Sequence, residues 1–189
     1  MNLKGTSFAS FFDFLTQRFG PSAQTQVLMA MPPEHRKAIE AGVLASSWYS
    51  VATFVSLAEI AKRVLGPQDP HFYREFGRHD AEYGLSGVHR VMLRDGGPLK
   101  VLEGAQALWR QVADQGRLEV VSTGFGSASL RTYDCAVSAL FCDRTTGYCQ
   151  RAAELAGAKE VRIRKTRCSL NDDPRCEWEI CWSEPASRQ

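Results

Sequence analysis

Six cysteines are the residues whose type and placement could do chemistry: Cys135, Cys142, Cys149, Cys168, Cys176 and Cys181. All lie in the last third of the 189-residue chain. Thiolate sulfur is a soft donor, and converging thiolates suit a tetrahedral zinc ion. Cys168 and Cys176 flank Asn171-Asp172-Asp173-Pro174, a turn-forming composition, so a hairpin closing there would bring their sulfurs together. Cys142 falls on a predicted helix and would reach them only through the fold. No CxxC pair is present. The alternative is bland: Cys135, Cys142 and Cys149 recur every seven residues, and cysteine is often a small buried apolar residue, so the stripe could be one packed helix face. Both readings stand at this point.

Other residue types carry less. His35, His71, His79 and His89 form no i, i+4 pair and no HExxH motif. His89 falls on an expected helix with no further haem signature around it, so a surface or core-edge role is expected for it and haem is not. Gly124-Phe125-Gly126-Ser127 precedes a strand rather than a helix, unlike a phosphate loop. The lone serines, histidines and aspartates show no nucleophile elbow. Arg162, Arg164, Lys165 and Arg167 make a basic strand, which suits a solvated edge protected against pairing.

The elements that must position these residues follow from periodicity. Helical spacing is expected over residues 7–19, from a start at Pro33, over 51–65 with Ser50 as cap, over 70–92, over 99–115 and over 135–155. Strands are expected over 118–123 and 128–133, forming a hairpin, and over 161–167 and 175–182, forming another. In the last strand Cys176, Trp178, Ile180 and Trp182 alternate with Arg175, Glu177, Glu179 and Cys181, a half-buried pattern. Residues 183–189 are a polar tail. This order predicts an α+β fold: a helical half over 1–97, then a hairpin-helix-hairpin core over 98–182 with a small antiparallel sheet of about four strands. One domain over 1–189 is expected.

Bulk properties narrow the class. A hydrophobic content of 44% against 23% charged residues suits a globular domain rather than a disordered chain. A net charge of +2 gives no reason to expect a nucleic-acid partner. The N-terminus lacks a signal peptide's apolar core, and no run reaches the length of a membrane span, so a cytoplasmic compartment with reduced thiols is expected.

The segment from Cys142 through Arg144-Thr145-Thr146-Gly147-Tyr148 to Cys168, and on through Asn171-Asp172-Asp173-Pro174-Arg175 to Cys176-Glu177-Trp178, resembles the end of the 4-vinyl-reductase domain. That domain is the sensory module of phenol-responsive bacterial regulators. It is related to haem nitric-oxide-binding domains and to subunits of vesicle-tethering complexes. Ala45-Ser46-Ser47-Trp48-Tyr49 and Gly77-Arg78 resemble an uncharacterised bacterial branch of the same superfamily. The resemblance implies zinc held by Cys142, Cys168 and Cys176, but its glutamate ligand falls at Lys165 here. A protonated lysine repels a cation, which leaves Cys149, a turn aspartate or water as the fourth ligand. Lys165 could instead sit at the sheet edge, pair with Asp172 or Glu177, or mark a site that has lost its metal. The resemblance also implies a pocket between helices and sheet, with aliphatic Val121 and Ile163 at two lining positions, suited to an apolar small molecule. The expected function is a non-enzymatic ligand-binding sensor that signals through a protein partner or a homodimer; the alternative is an assembly module with a filled core.

Overall fold

The computed structural model describes residues 1–86, 93, 97–135 and 138–183. The fold is α+β, as the order of elements predicts. The chain divides into two compact units. One comprises residues 1–72 with 111–114, the other residues 73–110 with 115–189.

The first unit is helical. Strand β1 (Asn2–Lys4) leads into α1 (Gly5–Phe19), α2 (Ala23–Ala30) and α3 (Pro33–Arg36); β2 (Trp48–Ser50) leads into α4 (Val51–Leu65). β1 pairs antiparallel with β2, Leu3 opposite Tyr49, and Leu3 also bridges to Ala113. Ser50 caps α4 as its composition predicts, its hydroxyl accepting from the Ala52 N–H. The core is aromatic. Phe8, Phe11, Phe54 and Phe72 are fully buried, and Phe11 meets both Phe54 and Phe72 edge-on at centroid separations of 5.8 and 6.5 Å.

The second unit holds most of α5 (Phe72–Gly84) and α6 (Gly97–Val112), then β3 (Arg117–Gly124), β4 (Ser127–Tyr133), α7 (Ala139–Leu155), β5 (Lys159–Arg167), a 3-10 turn (Ser169–Asn171) and β6 (Cys176–Ser183). Four antiparallel strands lie in the order β3-β4-β6-β5. Cys176, Trp178, Ile180 and Trp182 of β6 are buried, while Glu179 and Cys181 between them and Ser183 after them are exposed. They pack with Leu130 of β4 and with Cys142, Cys149 and Ala153 of α7 in one core.

On its other side α7 meets α5 at two glycines. A Cβ on Gly77 would collide with the Arg144 carbonyl oxygen, and one on Gly147 with the Arg74 carbonyl oxygen. This close approach is held by ion pairs: Arg144 to Asp80 at 2.6 Å and Arg78 to Glu154 at 2.9 Å.

Several expectations shift. Cys135 lies outside α7, because Ser138 caps the helix and its hydroxyl accepts from the Leu140 N–H. The seven-residue stripe therefore reduces to Cys142 and Cys149. α5 ends at Gly84, and α2, β1 and β2 were not foreseen. Residues 87–92, including His89, and the tail from 184 lie outside the described residues.

Candidate functional site

The three cysteines singled out by the resemblance come together. The sulfurs of Cys142, Cys168 and Cys176 all lie within 4.8 Å of one another. Each is delivered by a separate device. The Ser138 cap fixes the start of α7, so Cys142, one turn in, faces the sheet. Cys168 follows β5 and caps the 3-10 turn, where its N–H donates to Asp173 Oδ2 at 2.8 Å and its carbonyl accepts from the Asn171 N–H at 2.8 Å. Asp172 makes the turn in the left-handed region at φ 64°, a conformation that aspartate tolerates better than most residues. Cys176 opens β6, and its sulfur takes a 3.4 Å contact from the Ser169 N–H.

Lys165 decides what this cluster is. It stands opposite Trp178 in the β5–β6 register, in the row that also contains Leu130 and Val120, and so on the core face of the sheet. A bulge between Lys165 and Arg167 follows it immediately. Its Nζ lies 2.6 Å from Cys142 Sγ, 2.8 Å from Cys168 Sγ and 5.4 Å from the Trp178 ring centroid. The ammonium thus lies where the sulfurs converge, rather than pairing with Asp172 or Glu177.

The charges follow from this geometry. Burial pushes the Cys142 thiol up, and the Lys165 hydrogen bond only partly offsets it. Burial also raises half-buried Cys168, but Lys165 and the Leu170 backbone N–H outweigh it and hold that thiol below its ordinary value. Burial lowers Lys165, while hydrogen bonds to Cys142 and Cys168 raise it further, so it stays a cation. The ammonium thus finds two sulfur acceptors, so its burial is compensated by hydrogen bonds. Cys149, the proposed reserve ligand, is fully buried in the core; burial pushes its thiol up to about 12.

The outer face of the same hairpin carries a charge cluster that spacing did not reveal. Glu177 accepts from Ser129 at 2.9 Å, Arg131 at 2.9 Å and Arg175 at 2.8 Å. A polar groove of about 670 Å³ runs beside it and is lined by Lys165, Arg167, Asp173, Arg175 and Glu177 among others. Strand register alone makes this cluster visible, since Arg131 meets Glu177 only across β4 and β6.

The two expected pocket residues do not share a face. Val121 aligns with Ser129, Glu179 and Arg164 on the outer face and is 40% exposed. Ile163 aligns with Ile180 and Ala128, one row over, and packs against the core. Alternation sends neighbouring rows to opposite faces, so one pocket cannot be lined by both.

A family model described as a protein of unknown function (DUF2378) matches residues 11–183. The chain belongs to this family. No curated protein matches. Among solved structures, an H-NOX protein from Shewanella oneidensis in the Fe(II)NO ligation state is 15% identical, covers 96% of this chain and 99% of its own, and has a TM-score of 0.75. The Fe(II)CO form of an H-NOX domain from the same organism gives 17% identity, 96% and 99% coverage and 0.75. An Fe(II) unliganded H-NOX protein from K. algicida is 13% identical, with 98% and 100% coverage and a TM-score of 0.72.

These matches correct three expectations. The DUF2378 chain has H-NOX domains as its structural neighbours, a fold related to the 4-vinyl-reductase domain but distinct from it, so that assignment does not stand. Zinc at Cys142, Cys168 and Cys176 also falls, because the neighbours are haem-iron proteins and the Lys165 ammonium lies between two of the sulfurs. The expectation against haem is overturned by the same neighbours, whose shared fold spans nearly the whole chain.

Proposed function

We propose that this chain is a non-enzymatic sensor domain for a small apolar ligand, a diatomic gas met through haem. The observation that carries this is a fold shared end to end with domains solved in Fe(II)NO and Fe(II)CO ligation states. The donor chemistry on the described residues fits a haem iron. His79 carries a buried imidazole Nε2 on α5, and a helix imidazole is an axial ligand that haem iron commonly takes. Haem, when bound, supplies an iron able to take the gas.

The residues beside His79 would carry the response. Arg78 and Asp80 tie α5 to α7 through Glu154 and Arg144. A displacement of α5 would therefore reach α7 and the Cys142–Lys165 contact on its opposite face. The output would pass to a protein partner or through dimerisation. Among the described residues no helix is long and apolar enough to cross a membrane.

The test is a haemin titration of the full chain followed in the Soret region, then reduction and exposure to carbon monoxide. A saturable one-to-one band that shifts with the gas, and that weakens in His79→Ala, is the expected result. Free-haemin absorbance throughout would sink the proposal.

A second reading rests on the aromatic core of the first unit, where Phe8, Phe11, Phe54 and Phe72 fill the interior themselves. It is an assembly module that binds no ligand. The same titration separates the two.

A further inference from the structure

Lys165 does more than donate hydrogen bonds to the thiols beside it. Charge-assisted N–H···O bonds are about 2.7–2.9 Å long, and sulfur is a larger atom than oxygen. Yet Nζ stands 2.6 Å from Cys142 Sγ and 2.8 Å from Cys168 Sγ. At that separation a single oxygen atom can bridge nitrogen and sulfur. The two sulfurs differ in access. Cys142 is 6% exposed, whereas Cys168 is only half-buried, and the polar groove on the hairpin reaches Lys165. The backbone around Cys168 is also fixed on both sides, by Asp173 at its N–H and by Asn171 at its carbonyl.

We propose that Lys165 and Cys168 are a covalent modification site, joined by peroxide through one oxygen as an N–O–S bridge. The balance is complete with hydrogen peroxide as oxidant. One peroxide transfers oxygen to the Cys168 thiol, its O–O bond breaks, and sulfenic acid and water form. Lys165 gives its extra proton to water, and a second peroxide converts the amine to a hydroxylamine and releases water. The hydroxylamine oxygen then attacks the sulfenic sulfur. A new S–O bond forms, the old one breaks, and the departing hydroxide takes the hydroxylamine proton as water. Sulfur and nitrogen each lose two electrons, and the two O–O bonds accept all four.

The product has consequences for the cluster. The ammonium becomes a weakly basic nitrogen, so the charge facing Cys142 disappears. The α7–sheet contact then loses its charged donor, and an excess of dithiol restores it by reducing the bridge.

The test treats the full chain with hydrogen peroxide and measures intact mass, followed by peptide mapping under non-reducing conditions. The expected product gains one oxygen, loses two hydrogens, links the peptides holding Lys165 and Cys168, and reverts with dithiothreitol. Cys168→Ser and Lys165→Arg should both abolish it; the arginine variant keeps the cation, and its circular dichroism verifies that it folds. Loss of two hydrogens without an oxygen would indicate a disulfide or sulfenamide and overturn the proposal. So would oxygen gain without linkage, linkage to Cys142 instead, or formation of the same product in Lys165→Arg.

Discussion

Two side chains on one hairpin show how a single register places opposite chemistries back to back. Lys165 faces the core and meets sulfur, while Glu177 faces outward and gathers Ser129, Arg131 and Arg175. Burial raises the Glu177 carboxyl, but the Arg131, Ser129 and Arg175 hydrogen bonds outweigh it and hold its pKa at about 2 against an ordinary 4.5. A carboxylate depressed on folding stabilises fully above its unfolded pKa, and that stabilisation is lost as pH falls through the folded value. Glu177→Gln should therefore melt at a lower temperature than the parent at neutral pH, with the gap closing between about pH 4.5 and about pH 2. Thermal unfolding of both proteins across that range checks it; a gap independent of pH would assign the loss to packing. Turn composition made the meeting of Cys168 and Cys176 legible, and Cys142 joined them only through the family resemblance. The role of Lys165 was not legible, since it depends on which face a strand residue takes and on what α7 brings opposite.

Among the elements, α4 was legible at both ends because a capping serine starts it and Gly66 stops it. The start of α7 was not, since helical spacing through Cys135 overran the Ser138 cap. Three-residue strands such as β1 and β2 leave no alternation to detect. The contact between α5 and α7 gives a sharper test of the packing. Both Gly77 and Gly147 lie where backbone touches backbone, so no flexible side chain can yield. Gly147→Ala should cost about 3 kcal/mol or more through overpacking, despite alanine's better helix propensity. Urea unfolding measures it. A neutral or stabilising result would mean that the helices stand further apart.

For the whole molecule, α+β architecture and hairpin-helix-hairpin order were readable from pattern, whereas relatedness was assigned to a neighbouring fold. The motif that carried that assignment, a helix cysteine and a hairpin with two more, describes local geometry and not what the rest of the chain holds. The aromatic core of the first unit gives a stability prediction. Phe54 is fully buried and meets Phe8 at 5.1 Å and Phe11 at 5.8 Å. Phe54→Ala should cost about 3–5 kcal/mol, read from denaturant midpoints, and a loss below 1 kcal/mol would contradict a filled interior. The bridge from Leu3 to Ala113, with Asn2 accepting from and donating to Asp114, bears on how the chain is made. A nascent polypeptide leaving the ribosome carries both β1 and β2 before α4 is made, yet the third partner of that seam emerges only after α4, α5 and α6 have been translated. The first unit therefore cannot finish folding in the order of its synthesis; its opening strand must wait, half-paired, for a segment that arrives after α5 and most of α6.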